Sequence, residues 1–177
     1  VVEVASGHPF KYLIVGKDLI ETLANTFDTE LTAKVDINGA DLAGSTYHHP
    51  LYSKEDTFNR ESPIVIGGDY ITTESGTGLV HTAPGHGMED FGVGQKYGLP
   101  ILCPVDARGY FTAEAGSFEG LNVLKTANEE LIKALTDANT LLKHEPYKHK
   151  YPYDWRTKKP TIFRATEQWF ASVEGFR

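Results

Sequence analysis

The chain alternates short apolar stretches with turn residues, and this pattern predicts brief strands with a few helices between them. A strand is expected where apolar and polar residues alternate over a few positions beside a Gly, Pro or Asn turn. Such stretches occur at residues 1–4, 12–15, 31–37, 64–66, 70–73 and 78–82. The pair 64–66 and 70–73 flanks Gly67-Gly68-Asp69 and therefore predicts a hairpin.

Other stretches repeat their apolar residues at helical spacing, and they predict helices at residues 18–27, 87–98 and 126–138. The third begins with Thr126 and Glu129 at the spacing of a capping box. A regular alternation of strand and helix is not present, so a doubly wound sheet is not expected. The predicted class is α+β, as a β-barrel-like domain of short, mostly antiparallel strands with a few helices.

Composition narrows the class of protein. The 177 residues include 40% apolar residues, enough for a core, and no apolar run approaches the ~18 residues that a membrane span needs. The single cysteine, Cys103, offers neither a disulfide nor a cysteine zinc cluster. We therefore expect a soluble protein of a reducing compartment, placed in the cytoplasm or in an organelle, and without a membrane partner.

Charge is unevenly distributed along the chain. The net charge is −7, yet residues 143–177 carry eight lysines and arginines against four acids. Tyrosines and a tryptophan lie among these bases, which suits contact with an RNA backbone together with base stacking. A solvated β-ribbon with aromatic cross-strand pairs explains the same pattern equally well. The candidate RNA-binding residues are Lys148, Lys150, Arg156, Lys158 and Lys159.

The candidate chemistry lies in residues 76–98, where several kinds of site can be excluded. The GTG loop, residues 76–78, lacks the third glycine of a dinucleotide fingerprint and precedes its strand instead of following one. There is no G-x-S-x-G elbow for a nucleophilic serine. A Pro-Gly pair prevents one helix from presenting His81, His86 and Asp90 together, so a metal site is not expected.

What remains is a turn of few side chains followed by a helix start. The motif turn, residues 84–87, reads Pro-Gly-His-Gly and lets a ligand approach the backbone, because glycine has no Cβ. Its amides and the helix start favour an anion or a developing oxyanion. Asp90 falls in the first helical turn, where the helix dipole favours an ionised carboxylate. That carboxylate either binds a cationic amine or caps its own helix, and spacing alone leaves both open.

The whole stretch 76–91, GTGLVHTAPGHGMEDF, resembles the editing signature of class I isoleucyl-, valyl- and leucyl-tRNA synthetases. Those families share GTG, a Pro-x-His turn and an aspartate four residues beyond the histidine. The form His-Thr-Ala-Pro-Gly-His-Gly is similar to the isoleucyl one. The likeness continues in GQKYGL at 94–99 and in IFRAT and QWF between 162 and 170. The chain thus resembles the editing (connective-peptide) domain of an isoleucyl-tRNA synthetase.

That resemblance implies post-transfer proofreading, with pre-transfer proofreading as a further option: mischarged Val-tRNA(Ile) is hydrolysed to valine and free tRNA(Ile). It implies that Asp90 holds the α-ammonium group and that His81 orients the ester, so these two are the expected catalytic residues. His86 is expected to shape the turn. The implied substrate-binding residues are Gly76, Thr77, Gly78, His81, Thr82, Ala83, Pro84, Gly85, His86 and Asp90.

The resemblance also implies an organisation. Residues 1–150 would form the editing domain, and residues 151–177 would be a basic and aromatic return segment toward the synthetic core. Expected partners are the valine-bearing 3′ end of tRNA(Ile) and the remainder of the synthetase chain, in a monomer. Editing needs no cofactor, and the ATP and zinc sites of the whole enzyme are not expected in these residues.

Two family features are not in this sequence, and they leave an alternative function open. The threonine-rich strand ending Pro-Trp-Thr, which forms another wall of the family's pocket, is absent. So are the His-x-Gly-His and Lys-Ser signatures of the synthetic site. The alternative is a structural, RNA-contacting module of the same enzyme without autonomous activity.

Overall fold

The computed structural model describes residues 1–68 and 70–176, and its architecture confirms the predicted α+β class. The strands of this described part are Val2–Val4 (β1), Tyr12–Leu13 (β2), Leu31–Ala33 (β3), Thr46–His48 (β4) and Glu61–Pro63 (β5). Its α-helices are Ile20–Phe27 (α1), Met88–Tyr97 (α2) and Ala127–Asp137 (α3). Short 3₁₀ helices span Lys17–Leu19, Gly39–Leu42, Asp56–Phe58, Ala113–Phe118 and Glu174–Phe176.

The strands form two small antiparallel sheets. In the first the order is β2-β1-β3, with Val2 of the central strand opposite both Leu13 and Ala33. In the second, β4 pairs with β5 and Tyr47 lies opposite Ser62. Neither sheet closes into a barrel within the described residues. The strands are short and mostly antiparallel as predicted, but the expected barrel-like arrangement is not formed by them.

Each sheet lies beside its own hydrophobic cluster. The first cluster packs α1 and the preceding 3₁₀ turn on the three-stranded sheet, with Val2, Leu19 and Leu23 buried. The second cluster joins Leu51 and Phe58 to the 3₁₀ helix Ala113–Phe118 and to α3. The motif lies between these clusters in the sequence. No helix of the described residues is long and apolar enough to cross a membrane.

The three predicted helices are confirmed, but the capping box of the third is wrong. Thr126 already has helical dihedral angles, φ −83° and ψ −20°, and its side chain makes no capping hydrogen bond. The Ala127 N–H donates instead to the Asn122 carbonyl at 3.2 Å. A backbone carbonyl is therefore the hydrogen-bond acceptor for an amide at the helix start, where a threonine side chain was expected to be the acceptor.

Several predicted strands are shorter, displaced or absent. The strand predicted at 31–37 ends at Ala33, and Asn38 instead caps a 3₁₀ turn by accepting the Ala40 N–H. The hairpin predicted around Gly67-Gly68-Asp69 does not form in the described residues, and Asp69 itself lies outside them. Pairing is displaced to Glu61–Pro63.

The strand predicted at 78–82 is also wrong, for a local reason. Gly76 and Gly78 have φ angles of +76° and +84°, which turn the chain away from an extended path. The Thr77 hydroxyl then donates to the Leu79 carbonyl at 3.2 Å, so a group that a strand partner would use is occupied locally. His81 is therefore placed on an irregular segment instead of a strand end.

Helix α2 is seated on the motif turn through a glycine. Gly94 is buried, and a Cβ atom built there would lie 2.8 Å from the Pro84 Cβ atom. Gly92, two residues earlier in the same helix, is exposed and has open space around the same position. The two glycines thus lie in the same helix, but only Gly94 is packed against another residue at the position of a Cβ atom.

We expect Gly94→Ala to lower the free energy of unfolding by about 1–3 kcal/mol, because the new methyl group overpacks Pro84. The matched variant Gly92→Ala should raise it by roughly 0.5–1 kcal/mol, because alanine loses less backbone entropy in a helix. Urea unfolding of both variants measures the difference. Equal effects would show that α2 does not depend on close contact with Pro84.

Candidate functional site

The GTG loop is held by backbone contacts to the segment before α1. The Gly16 N–H donates to the Thr77 carbonyl at 2.7 Å. A Cβ atom on Gly78 would lie 2.9 Å from the Gly16 Cα atom, so the two backbones touch without side chains between them. The loop is thereby fixed to the first hydrophobic cluster. Gly76, Thr77 and Gly78 are in a position to shape the site, and their binding role stays a prediction.

The motif turn is closed by its own backbone and then opens directly into α2. The His86 N–H donates to the Ala83 carbonyl at 2.8 Å, and the Phe91 N–H makes the first helical bond to the Gly87 carbonyl at 2.9 Å. Gly87, in extended backbone with φ −151°, precedes the helix and has no side chain to cap it. The start of α2 is therefore left open on the side of the turn.

Asp90 lies in the first turn of α2, as predicted, and its carboxylate reaches back to the chain before the turn. The Ala83 N–H donates to Asp90 Oδ2 at 3.0 Å. Within the described residues this is the one side-chain hydrogen bond of that carboxylate, and it uses Oδ2 and not Oδ1. The side chain is half-buried. Asp90 thus anchors the chain before the turn instead of capping its own helix, and its binding of an amine stays a prediction.

The return segment contacts the motif turn directly. The Ala165 N–H donates to the Gly85 carbonyl at 2.8 Å. His86 Nδ1 lies 2.8 Å from the Phe163 carbonyl oxygen, to which it donates. Gly85 is buried, and the Leu102 carbonyl oxygen lies so close that a Cβ atom on residue 85 would overlap it. The turn is thus enclosed between residues 102–103 on one side and residues 163–165 on the other.

His81 is exposed and lies close enough to a second histidine to influence its charge. His49 follows β4 and stacks on Phe58, with ring centroids 5.0 Å apart. Its Nδ1 atom accepts the Leu51 N–H at 3.1 Å, which leaves any proton of the neutral ring on Nε2. Burial first, then the charges of Arg60 and His81, lower the pKa of His49. The folded chain therefore disfavours the protonated form of His49.

The side chains of His81, His86 and Asp90 do not line either of the two cavities described next. A cavity of about 290 Å³ touches the motif at Gly78 and Leu79 and is otherwise lined by residues 14–17, by Val1 and Ile20, and by residues between 33 and 42. Another, of about 280 Å³, lies between Lys54, Phe118 and α3. In the described residues no group of three His, Cys, Asp or Glu side chains could hold a metal ion.

The predicted RNA-binding residues lie on an exposed stretch of the chain. The rings of Tyr147, His149, Tyr151 and Tyr153 follow one another with centroids 5.2, 6.0 and 6.3 Å apart. These aromatic neighbours are therefore two residues apart along one stretch of chain. They are not the cross-strand pairs that a solvated β-ribbon would form. The intervening Lys148 and Lys150 are exposed.

A small hairpin continues this stretch. Tyr153 bridges to Pro160, and Asp154 accepts the Thr157 N–H at 2.6 Å. Hydrogen bonding to Thr157, from its side chain first and then from its backbone N–H, lowers the pKa of Asp154. The Arg156 guanidinium lies 4.7 Å from the Trp155 ring centroid. RNA binding by Lys148, Lys150, Arg156, Lys158 and Lys159 stays a prediction, as does the division of the chain after residue 150.

The structure therefore brings some predicted site residues together and leaves others apart. Residues 82–87 and Asp90 form one connected unit around the turn. The GTG loop is bonded to Gly16 instead, and His81 lies on the segment between. Pattern reading missed His49, Phe163 and Ala165 as neighbours of the site. Only the adjacent His48-His49 pair offered a signal in the sequence.

Comparison with known proteins finds similar sequences within longer chains. No protein-family model matches the chain. The isoleucine–tRNA ligase of Gloeothece citriformis is 66% identical over 177 residues, which are 98% of this chain and 18% of the ligase. That of Nostoc punctiforme is 67% identical over 180 residues, covering 100% and 18%. That of Microcystis aeruginosa is 69% identical over 166 residues, covering 94% and 17%.

The chain is thus similar to part of an aminoacyl-tRNA synthetase. More specifically, the chain corresponds to one segment of isoleucine–tRNA ligases. It spans about 18% of the length of those curated relatives.

The perturbed histidine leads to a pH prediction. Because the folded-state pKa of His49 is lowered, the unfolded chain binds its proton more readily than the folded chain does. The stability linked to His49 is therefore complete above its ordinary pKa of 6.5 and is lost as the pH falls through the lower folded-state value. We expect the free energy of unfolding to fall more from about pH 7 to about pH 5 in the wild type than in His49→Asn.

Asparagine is the matched control because its Oδ1 atom can still accept the Leu51 N–H but does not titrate. Chemical unfolding at several pH values measures the two slopes. Identical slopes would contradict a lowered pKa at His49.

Proposed function

We propose that the chain is the editing segment of an isoleucyl-tRNA synthetase and that its site hydrolyses the ester of Val-tRNA(Ile). Water adds to the ester carbonyl, the bond between that carbon and the ribose oxygen breaks, and the ribose oxygen takes a proton. The products are valine and free tRNA(Ile). Segment-wide identity of 65–69% to isoleucine–tRNA ligases supports the family of the parent enzyme. The proposal of hydrolysis is supported by the arrangement of the site residues.

The observation that carries the proposal is the placement of Asp90. Its carboxylate is half-buried at an uncapped helix start, and the Ala83 N–H fixes one of its oxygens. The other oxygen would bind the α-ammonium group that every aminoacyl ester carries. A charge-assisted hydrogen bond of this kind contributes ~1.5–3 kcal/mol, more than a neutral one. Asp90 would therefore select an aminoacyl ester over an uncharged tRNA end.

Ester hydrolysis suits a site of this composition. An ester is reactive enough that a positioned water and donors for the developing oxyanion are sufficient, and no protein nucleophile is required. The backbone amides near the motif turn and the start of α2 are candidate donors. His81 would orient the ester and the water, with His49 as its neighbour. The ribose hydroxyl of the tRNA would assist as the proton carrier.

The need for such a site follows from the energetics of small apolar groups. One methylene is worth only ~1–3 kcal/mol in a binding pocket, and isoleucine against valine in this synthetase is the well-known example of that limit. A second pocket reverses the selection, because valine fits and isoleucine is too large. The proposed substrate is therefore a tRNA that already carries the wrong, smaller amino acid.

The proposed partner is the 3′ end of that tRNA. The exposed row of four aromatic rings at residues 147–153 offers stacking faces, and the lysines between them offer charge to phosphates. We assign the predicted RNA contacts to this stretch and to the hairpin that follows. The alternative function, a structural module that contacts RNA but does not hydrolyse, depends on the same surface.

Hydrolysis of Val-tRNA(Ile) by the chain, and by a full-length synthetase that contains it, tests the proposal. Activity in both would support an autonomous editing domain. Hydrolysis only in the longer protein would favour the structural module, because the missing threonine-rich strand would then be essential. Absence of hydrolysis in both would overturn the proposed function.

The role of Asp90 is separated from its structural role by two substitutions. Asp90→Asn keeps an oxygen for the Ala83 N–H but removes the charge, and we expect hydrolysis to fall about 10- to 150-fold. Asp90→Ala also loses the anchor and should destabilise the turn as well. Isoleucine charging by the full-length enzyme should be unchanged in both.

Glu89→Gln is the matched control for Asp90→Asn. Glu89 lies in the same first turn of α2, is exposed, and loses the same charge on substitution. Its variant should hydrolyse Val-tRNA(Ile) at the wild-type rate. An Asp90→Asn variant as active as Glu89→Gln would mean that Asp90 is only a structural anchor.

His81 is expected to limit the size of the pocket. His81→Ala removes a ring from an exposed position beside His49, so we expect correctly charged Ile-tRNA(Ile) to become a substrate. Deacylation assays with both esters measure the change in selectivity. Full protection of Ile-tRNA(Ile) together with normal valine editing would show that His81 does not line the pocket.

A further inference from the structure

The motif turn and the return segment are joined by two hydrogen bonds that run in opposite directions. His86 donates from Nδ1 to the Phe163 carbonyl, and the Ala165 N–H donates to the Gly85 carbonyl, each at 2.8 Å. The bonded residues are about 80 positions apart in the chain, since His86 and Phe163 are separated by 77. A side-chain bond and a backbone bond on adjacent turn residues together resist both sliding and rotation of the turn.

Residues 163–165 of the return segment also contact a further stretch of chain, residues 102–105. Arg164 donates from Nε to the Val105 carbonyl at 2.6 Å. Gly85 lies directly against the Leu102 carbonyl. Residues 163–165 therefore bridge the motif turn and the strip 102–105, with the side chain of His86 as the one side-chain donor from the turn itself in the described residues.

We propose that His86 is a positioning residue for editing: its bond to the Phe163 carbonyl fixes the motif turn against the return segment and so sets the position of Asp90. This inference rests on the proposed function. The turn is the link, because the His86 N–H donates to the Ala83 carbonyl and the Ala83 N–H donates to Asp90. Release of the His86 side chain would let the turn shift, and the carboxylate that it orients would shift with it.

The expected consequence is a loss of rate more than of affinity. A displacement of about 1 Å in a positioned group can cost ~100-fold in rate, whereas the tRNA is held by many other contacts. We therefore expect His86→Ala to lower kcat for Val-tRNA(Ile) hydrolysis by about 10- to 100-fold with little change in KM. His86 itself does not need to touch the substrate.

Asparagine tests whether the donor is what matters. The Nδ2 amide of Asn can occupy the place of the histidine Nδ1–H and donate to the same carbonyl, so His86→Asn should recover most of the lost kcat. His8→Ala is the control, because His8 lies in the turn between β1 and β2, far in the sequence from the motif. It should leave kcat and KM unchanged.

A second measurement does not depend on activity. Amide hydrogen exchange at Ala165 reports the bond to the Gly85 carbonyl, and it should accelerate in His86→Ala but not in His86→Asn. Both readouts are made in the full-length synthetase, with isoleucine charging as the check on folding.

The outcomes separate the two proposals. A wild-type enzyme that does not hydrolyse Val-tRNA(Ile) defeats the proposed function, whatever the variants do. A wild-type enzyme that hydrolyses it, together with a His86→Ala variant of normal kcat and normal exchange at Ala165, defeats the positioning role alone. Failure of His86→Asn to restore kcat would also defeat it, because the donor would then be irrelevant.

Discussion

The site depends on one close approach between backbones at Gly85. Any larger residue would place a Cβ atom against the Leu102 carbonyl, so the turn could not lie where it does. From this contact the other arrangements follow. The Gly85 carbonyl accepts the Ala165 N–H. Helix α2 packs closely against Pro84 at Gly94, where a side chain would not fit. Three segments distant in sequence meet where side chains are missing.

Asp90 illustrates how a carboxylate with a proposed binding role can also be structural. A helix start leaves amides without partners and favours negative charge nearby, so an acidic residue in the first turn of α2 stabilises the helix. The side chain reaches beyond its own helix, however, and accepts the Ala83 N–H. That bond fixes the carboxylate in one rotamer. A ligand ammonium would therefore meet a preorganised partner, with little further side-chain entropy to lose.

Pattern reading succeeded where local chemistry decides the structure. The bounds of α2 follow from Gly87 and Gly98, and Asp90 falls in the first turn as the spacing requires. It failed where a local signal was overridden. Residues 78–82 were expected to form a strand that ends before Pro84, but the positive φ angles of Gly76 and Gly78 turn the chain away from an extended path. The threonine at position 126 has capping spacing but helical dihedral angles.

The remaining errors come from contacts across the sequence. Nothing near His86 in the sequence indicates that its ring donates to Phe163, since the two are 77 residues apart. Likewise His49 shows no periodic signal, although its ring lies in range of the charge on His81. Such contacts depend on how two hydrophobic clusters hold distant segments beside one another, and one-dimensional patterns do not carry that information.

A site built this way suits a reaction in which the substrate brings most of the reactivity. The aminoacyl ester is already activated, so the protein has only to hold the ammonium group, to align a water and to stabilise charge on the carbonyl oxygen. Backbone amides and one fixed carboxylate can do all three. The precision must then come from the placement of the turn. That placement comes from the return segment, through the hydrogen bonds of His86 and Ala165, and not from the motif alone.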